Sequence, residues 1–264
     1  MRRASLAKPL IDLLWRDHPD APVRGARGPQ ARRSTGEVVG SAIALADAEG
    51  LDAVTIRAVA ESLSMSPMSV YTHVNSRDDL LVLMADAAHA GASLPRFGRA
   101  SWRTRVRRVA ESNLALMRAH PWLLHLTDDR VALGPGTIAK YDHELHAFDG
   151  TALSALDRDA ALTFVIDFAR SSAAAMLRTG QRGDFAEVWQ ESADPLGRYL
   201  RGSYPLAQRV GRAAGEHMAA PYSAEHAWEF GIQRVISGLS ALIDTPAKAT
   251  VRTTRSASRV RKRH

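Results

Sequence analysis

The sequence predicts an all-α protein built as a small three-helix head followed by a larger helical body. Three observations predict it. Apolar side chains recur at i, i+3 and i+4 through most of the chain, and no stretch keeps a strand alternation long enough to suggest a sheet. Capping chemistry marks helix starts, Ser34 with Glu37 and Ser76 with Asp79. The chain has 264 residues and is 45% apolar, enough for a head and a body with its own core.

Residues 1–33 form a basic arm with eight Lys or Arg against three Asp. Within it Leu10, Ile11, Leu13, Leu14 and Trp15 can make a turn or two of amphipathic helix. The stretch from Ala21 to Arg33, with two prolines, two glycines and four arginines, reads as an extended linker. The head occupies 34–89. Its first helix starts at the Ser34–Glu37 box, carries Val38, Val39, Ala42, Ile43 and Ala46 on one face, and stops at Gly50. Thr55 opens a second helix with Val59, Ala60 and Leu63 inward. Ser64, Met65 and Ser66 turn the chain, and Pro67 sits where proline suits the first position of a third helix, Pro67 to His73. Two helices joined by so short a turn have helix-turn-helix spacing. Val70 and Val74 dock the third helix, leaving Met68, Ser69, Tyr71, Thr72 and His73 as an outer face of hydroxyls, an imidazole and a flexible apolar chain. Those groups meet phosphates, base edges and thymine methyls in a major groove. A fourth helix follows, with Leu80, Leu83, Met84 and Ala87 on its inner face.

After a break at Gly91, Ser93, Pro95 and Gly98, the body runs from 99 to 244. Helices are expected from Ser101 to Arg118, briefly after Pro121, from Gly136 to Phe148, Ser154 to Arg178, Phe185 to Gly202 with an interruption at Pro195, Pro205 to Met218, and Ser223 to Ile243. Residues 245–264 hold seven Lys or Arg and no acid, and read as a disordered basic tail. The net charge of +7 therefore belongs to the two ends, because residues 34–244 carry 20 basic and 25 acidic side chains. The chain has no cysteine, so neither a disulfide framework nor a thiolate metal site is available, which fits a reducing cytoplasm. No unbroken apolar run reaches about 18 residues and the first 30 lack a signal-peptide pattern, so neither a membrane span nor a leader is expected.

The run Ala44-Leu45-Ala46-Asp47-Ala48-Glu49-Gly50-Leu51, then Val54-Thr55-Ile56-Arg57-Ala58-Val59-Ala60, Met68-Ser69-Val70-Tyr71-Thr72-His73-Val74 and Arg77-Asp78-Asp79-Leu80-Leu81 resembles the TetR family of transcriptional repressors. In the body, Trp102 with Arg103, Arg105, Val106 and Val109, then His120-Pro121-Trp122, resembles the opening of the tetracycline-repressor-like regulatory domain. Glu229-Phe230-Gly231 with Val235, Ile236, Gly238 and Leu239 resembles its closing helix. The resemblance implies a head that binds a palindromic double-stranded operator as a homodimer and a body that binds a small inducer. Carried over by position, it assigns DNA contacts to Thr55, Arg57, Pro67, Met68, Ser69, Tyr71, Thr72, His73 and Arg77. Thr72 stands where many members carry a bulkier aromatic, which bears on the operator sequence. Arginine-bearing arms precede the head in many such proteins, which makes Arg24, Arg27, Arg32 and Arg33 supplementary minor-groove contacts.

Two body helices are apolar on more than one side. The first carries Ala160, Leu162, Phe164, Val165, Phe168, Ala169, Ala173 and Met176; the last carries Ala227, Gly231, Val235, Gly238, Leu239 and Leu242. They either fill the core of one subunit or meet a second copy, and the resemblance implies a four-helix bundle between two subunits. For the inducer, Met117, Trp122, Tyr141, Phe164, Phe168 and Met176 offer an apolar lining, with His125, His146, Asp167 and Arg170 as polar anchors. The expectation is a ligand held between Trp122 and Phe168 that moves the helix from Arg77 to His89. Asp167 and Arg170, three apart, are expected to pair with each other.

Nothing in the sequence assembles a catalytic site. There is no Gly-rich phosphate loop, nucleophile elbow or His-Glu-x-x-His. His143 and His146 lie beside Asp142 and Glu144 without a partner elsewhere, which suits a helix face better than a metal site, so no metal, cofactor or enzymatic activity is expected. The rival is a sequence-independent architectural DNA-binding protein driven by the basic arms. Salt separates the two, because arm-driven binding collapses as counterion release loses its force.

Overall fold

The computed structural model describes residues 9–22, 33–181, 185–218 and 222–244. Arg24, Arg27 and Arg32 and the basic tail at 245–264 lie outside the described residues. Eleven α-helices and four short 3-10 turns make up the described chain, which has no strand among those residues. The arm contributes α1 (Leu10–Leu14), and the head contributes α2 (Thr35–Glu49), α3 (Ile56–Ser62), α4 (Pro67–Val70) and α5 (Arg77–Ala90). The body comprises α6 (Trp102–Ala119), α7 (Pro135–Leu145), α8 (Ala155–Gln181), α9 (Phe185–Tyr199), α10 (Pro205–Met218) and α11 (Ala224–Ile243).

The caps form as their chemistry dictates. Ser34 Oγ accepts the Glu37 amide at 3.1 Å while Glu37 Oε2 accepts the Ser34 amide at 2.7 Å, which closes the box at the start of α2. Gly50 ends α2 at φ +85°, a region that L side chains rarely enter. At α5 only half a box forms. Ser76 Oγ accepts the Asp79 amide at 3.0 Å, whereas the Asp79 carboxylate is taken by Asn75 and by Arg130 of the body.

One apolar core joins α1 through α5 and continues into the body at Leu116, Trp122 and Leu123. Leu13 and Leu14 of α1 belong to it. Helix α5 is buried without interruption from Asp79 to Asp86, because α2 and α1 cover one side and α7 the other. An amphipathic reading of this helix therefore finds one inner face where the fold has two. A second core lies between α6, α8 and α11, where Trp102, Val106, Val109 and Leu114 meet Leu162, Val165, Ala169, Trp228, Ile232 and Val235. By length and mean hydropathy the stretch Ala155–Thr179 of α8 could cross a membrane; it carries Asp167 and Arg170, and its inner face is committed to α6 and α11.

Helix α9 runs through Pro195 instead of breaking there. The proline removes one amide donor, and an exposed helix leaves the freed carbonyl to solvent. Gly231 of α11 approaches α8 of its own chain: an added Cβ would lie 2.5 Å from the Phe168 ring. Gly238 meets nothing within 4 Å.

Candidate nucleic-acid interface and effector cavity

The helix-turn-helix is α3 and α4 joined through Ser64, which holds φ +53°, an uncommon conformation for a residue with a side chain. Thr55 Oγ1 caps α3 by accepting the Ala58 amide at 3.1 Å, and Ser66 Oγ caps α4 by accepting the Ser69 amide at 3.2 Å. The helix is short: after Val70 it tightens, with the Thr72 amide bonded to Ser69 O and the His73 amide to Val70 O. Val70 and Val74 are buried, and Pro67, Met68, Tyr71 and Thr72 face outward, with Met68 73% and Tyr71 49% exposed. Ser69 is half-buried, and Thr55 and Arg57 at the start of α3 are exposed. Seven of the nine sequence-assigned contacts, Thr55, Arg57, Pro67, Met68, Ser69, Tyr71 and Thr72, are thus wholly or partly open to solvent and offer hydroxyls, a thioether, a phenol and a guanidinium.

Two of the assigned residues are placed otherwise than an outer-face reading expects. His73 does not share the outer face: it is 6% exposed, and its Nδ1 lies 3.2 Å from Thr35 Oγ1. The tightened turn after Val70 carries it beneath the helix, so the imidazole braces α4 against the start of α2. Arg77 is an internal strut. Its Nε donates to Val54 O at 2.6 Å and its Nη2 to Leu51 O at 2.8 Å, which ties α5 to the segment between α2 and α3.

A partly open cavity of about 320 Å³ lies between α5 and the body. Ala85 and His89 of α5 form one wall, and Asn113, Leu116 and Met117 of α6 another. Leu123, Leu126 and Val131 close it from the connecting segment, Thr137, Lys140, Tyr141 and Glu144 from α7, and Ile166 and Arg170 from α8. At its polar end Lys140 Nζ donates to Asn113 Oδ1 at 2.8 Å and to both Glu144 oxygens at 2.7 and 2.8 Å, and Asn113 Nδ2 donates to Glu144 Oε1 at 2.6 Å. Buried charges persist only when paired and hydrogen-bonded, and this triad meets that condition. His89 Nδ1 lies 2.8 Å from Thr137 Oγ1. Burial, with the charges of Lys140 and Arg170, pushes its pKa down to about 4, so the imidazole is neutral at neutral pH.

Of the sequence-assigned ligand residues, Met117, Tyr141 and Arg170 reach the cavity. The others do not, and the expected clamp of Trp122 and Phe168 is replaced. Trp122 is buried and donates Nε1 to Asp47 Oδ1 of α2 at 2.7 Å, tying body to head. Phe168 stacks on Trp228 with ring centroids 5.2 Å apart. His125 and Asp167 are exposed, as is Phe164 at 53%, His146 pairs with Asp149, and Met176 packs on the second core. Arg170 does not pair with Asp167; it donates to the carbonyls of Leu123 and Leu126. Reading the sequence missed His89, Asn113, Thr137, Lys140 and Glu144. A signal existed for two: Lys140 and Glu144 stand at i and i+4, ion-pair spacing on a helix.

Head and body are latched along α5. Asp79 Oδ1 accepts from Arg130 Nη1 at 2.9 Å, and Asp128 of the cavity rim holds the same guanidinium. Asp86 Oδ1 accepts the Thr137 amide at 2.8 Å, so a carboxylate on α5 caps the N-terminus of α7, and burial raises its pKa. The two elements approach closely, since a Cβ on Gly134 would lie 2.1 Å from the Asp86 carboxylate and one on Gly136 2.4 Å from its carbonyl oxygen.

A helix-turn-helix head joined to a body with a cavity between them defines a class, the DNA-binding regulator with an effector domain. Comparisons with known proteins place the chain within it. Residues 94–243 match the family model described as the tetracyclin repressor-like C-terminal domain. The chain is 31% identical over 242 residues to the HTH-type transcriptional repressor DrrR1 of Streptomyces coeruleorubidus, covering 88% of this chain and 85% of that protein. It is 25% identical to the tetracycline repressor protein class E of Escherichia coli, over 81% of this chain and 94% of that one. Among solved structures, ActR of Streptomyces coelicolor in complex with actinorhodin superposes with a TM-score of 0.63 at 26% identity, covering 81% of this chain and 98% of that one. The chain belongs to the TetR family of transcriptional regulators.

Proposed function

We propose that the protein is a cytoplasmic, ligand-responsive repressor that binds a palindromic operator as a homodimer and leaves it when a small molecule fills the cavity. The observation that carries this reading is α5, a single helix that packs against α2 of the head, holds the turn before α3 through Arg77, and walls the cavity with Ala85 and His89. A ligand acts as a switch only through a difference in affinity between two arrangements, and moving a population from mostly bound to mostly free takes about 5 kcal/mol. A cavity bounded by the helix that carries the head supplies a route for that difference. Structures of ActR with actinorhodin and with (S)-DNPA support a small-molecule effector. Exposed apolar side chains on the outer faces of α8 and α11, Leu156 and Phe164 with Phe230 and Leu242, support a two-fold bundle of these helices.

The test is selection of bound sequences from a random duplex library with the full chain, followed by footprinting. The expected result is a two-fold symmetric site with half-sites about 34 Å apart, bound far more tightly than bulk DNA at physiological salt. Affinity that is uniform across sequences and vanishes as salt rises would overturn the reading in favour of the architectural one.

A further inference from the structure

The effector reading leaves open what the cavity takes, and its charged groups narrow the chemistry. Five charged side chains bound it: Lys140 and Glu144 of α7, Arg170 of α8, and Asp128 and Asp129 at the rim. Glu144 is answered by Lys140 and Asn113. Asp128 is answered by Arg130, which donates from its backbone amide, Nε and Nη2. Asp129 is exposed and faces water. Arg170 differs: it is half-buried, meets only the carbonyls of Leu123 and Leu126, and has no carboxylate within 4 Å among the described residues. The remaining titratable groups are His89, kept neutral by burial and by the two cations, and Tyr141, whose hydroxyl donates to Asp159. The unanswered charge of this cavity is positive. Leu116, Met117, Leu123, Leu126, Val131 and Ile166 give it an apolar wall.

We infer that the effector is a compact apolar acid whose carboxylate meets Arg170 while its hydrocarbon body lies on the leucine and isoleucine wall. The inference rests on the effector reading and deepens it. A guanidinium presents a planar fork that matches a carboxylate, and charge-assisted pairs of this kind are about twice as strong as neutral hydrogen bonds. The two carbonyls orient the fork without cancelling its charge. A cation as ligand would find Glu144 and Asp128 already occupied and Arg170 repelling it.

The probes are 2-naphthoate and 2-naphthamide, which share a ring system and differ in charge, titrated calorimetrically into the full-length protein at pH 7.5. The expected result is binding of the acid at least about tenfold tighter than the amide, a difference matching one charge-assisted pair. Arg170→Gln is expected to bring the acid to the amide's affinity, and Arg170→Lys to keep part of the preference. Equal affinities in the parent, a preference that survives Arg170→Gln, or no binding of either probe by folded, DNA-competent protein would each overturn the inference. DNA binding measured without probe distinguishes the two readings. Loss of sequence-specific binding sinks the repressor reading whatever the probes do, and tight acid binding that never releases DNA leaves the carboxylate site standing while removing its role as a switch.

Discussion

Replacing Lys140 with methionine removes the cation from a carboxylate that is 1% exposed, and leaves Glu144 with a single donor, Asn113 Nδ2 at 2.6 Å. Breaking a buried ion pair from one side costs about 3–5 kcal/mol, because the remaining charge stays desolvated without its partner. The surviving amide bond places Lys140→Met near the lower end, about 3 kcal/mol, a large share of the roughly 5–15 kcal/mol that holds a typical protein folded. For a chain of this size that corresponds to a fall in Tm of roughly 6–12 °C. Removing both charges with Lys140→Met/Glu144→Met takes away the stranded carboxylate, and the double variant is expected to recover at least about half of the loss. The assay is urea unfolding followed by tryptophan fluorescence, at one protomer concentration for all variants, since self-association adds to apparent stability. If Lys140→Met lost less than about 1 kcal/mol, or if the two single changes simply added, the triad would not be the coupled unit its geometry indicates.

Arg57→Ala is expected to weaken operator binding and lower the salt slope by about one, whereas Arg77→Met lowers urea stability and leaves the slope unchanged, because its guanidinium serves Val54 and Leu51. Equal slope changes in both would return Arg77 to the DNA. His89 is charged in the unfolded chain below pH 6.5 and in the folded protein only below about 4, so stability is full above pH 6.5 and declines as pH falls through that window. By pH 5 the loss is about 2 kcal/mol, absent in His89→Gln; parallel pH profiles would refute it. Gly231→Ala drives a methyl into Phe168 and is expected to cost about 1–3 kcal/mol, relieved by Phe168→Leu, while Gly238→Glu leaves the protomer folded and splits the dimer. Sedimentation as an unchanged dimer would move the interface away from Gly238.

Helix ends were legible where capping chemistry fixes them, at Ser34, Thr55 and Ser76, because a cap is local and its partners lie within a few residues. The faces of short helices were less so. His73 shares the composition of the recognition surface, yet the chain tightens after Val70 and turns it toward Thr35. Arg77 looks like a phosphate contact by position, and only the folded loop reveals two carbonyls within its reach. The cavity was the least legible. Its polar end brings together α5, α6 and α7, and Asn113 meets Lys140 and Glu144 only when those helices pack. Aromatic side chains drew the sequence reading toward Trp122 and Phe168, which the fold spends on joining helices. The polar residues His89, Asn113 and Thr137 were left to shape the pocket.

The bare contact of α5 with α7 has a mechanical consequence. Side chains between two helices act as soft pads that let them slide by changing rotamers, but at Gly136 the α5 backbone rests directly on α7, and at Gly134 the one side chain present, Asp86, is held by the Thr137 amide. Such a joint transmits displacement almost undiminished, in the manner of meshed gear teeth. Any shift of α7 by a fraction of a turn, whatever its origin, must reappear in α5 and at the helices that α5 carries. A bulkier residue at either glycine would then do more than crowd the joint: it would set the head at a different resting angle before any small molecule arrives.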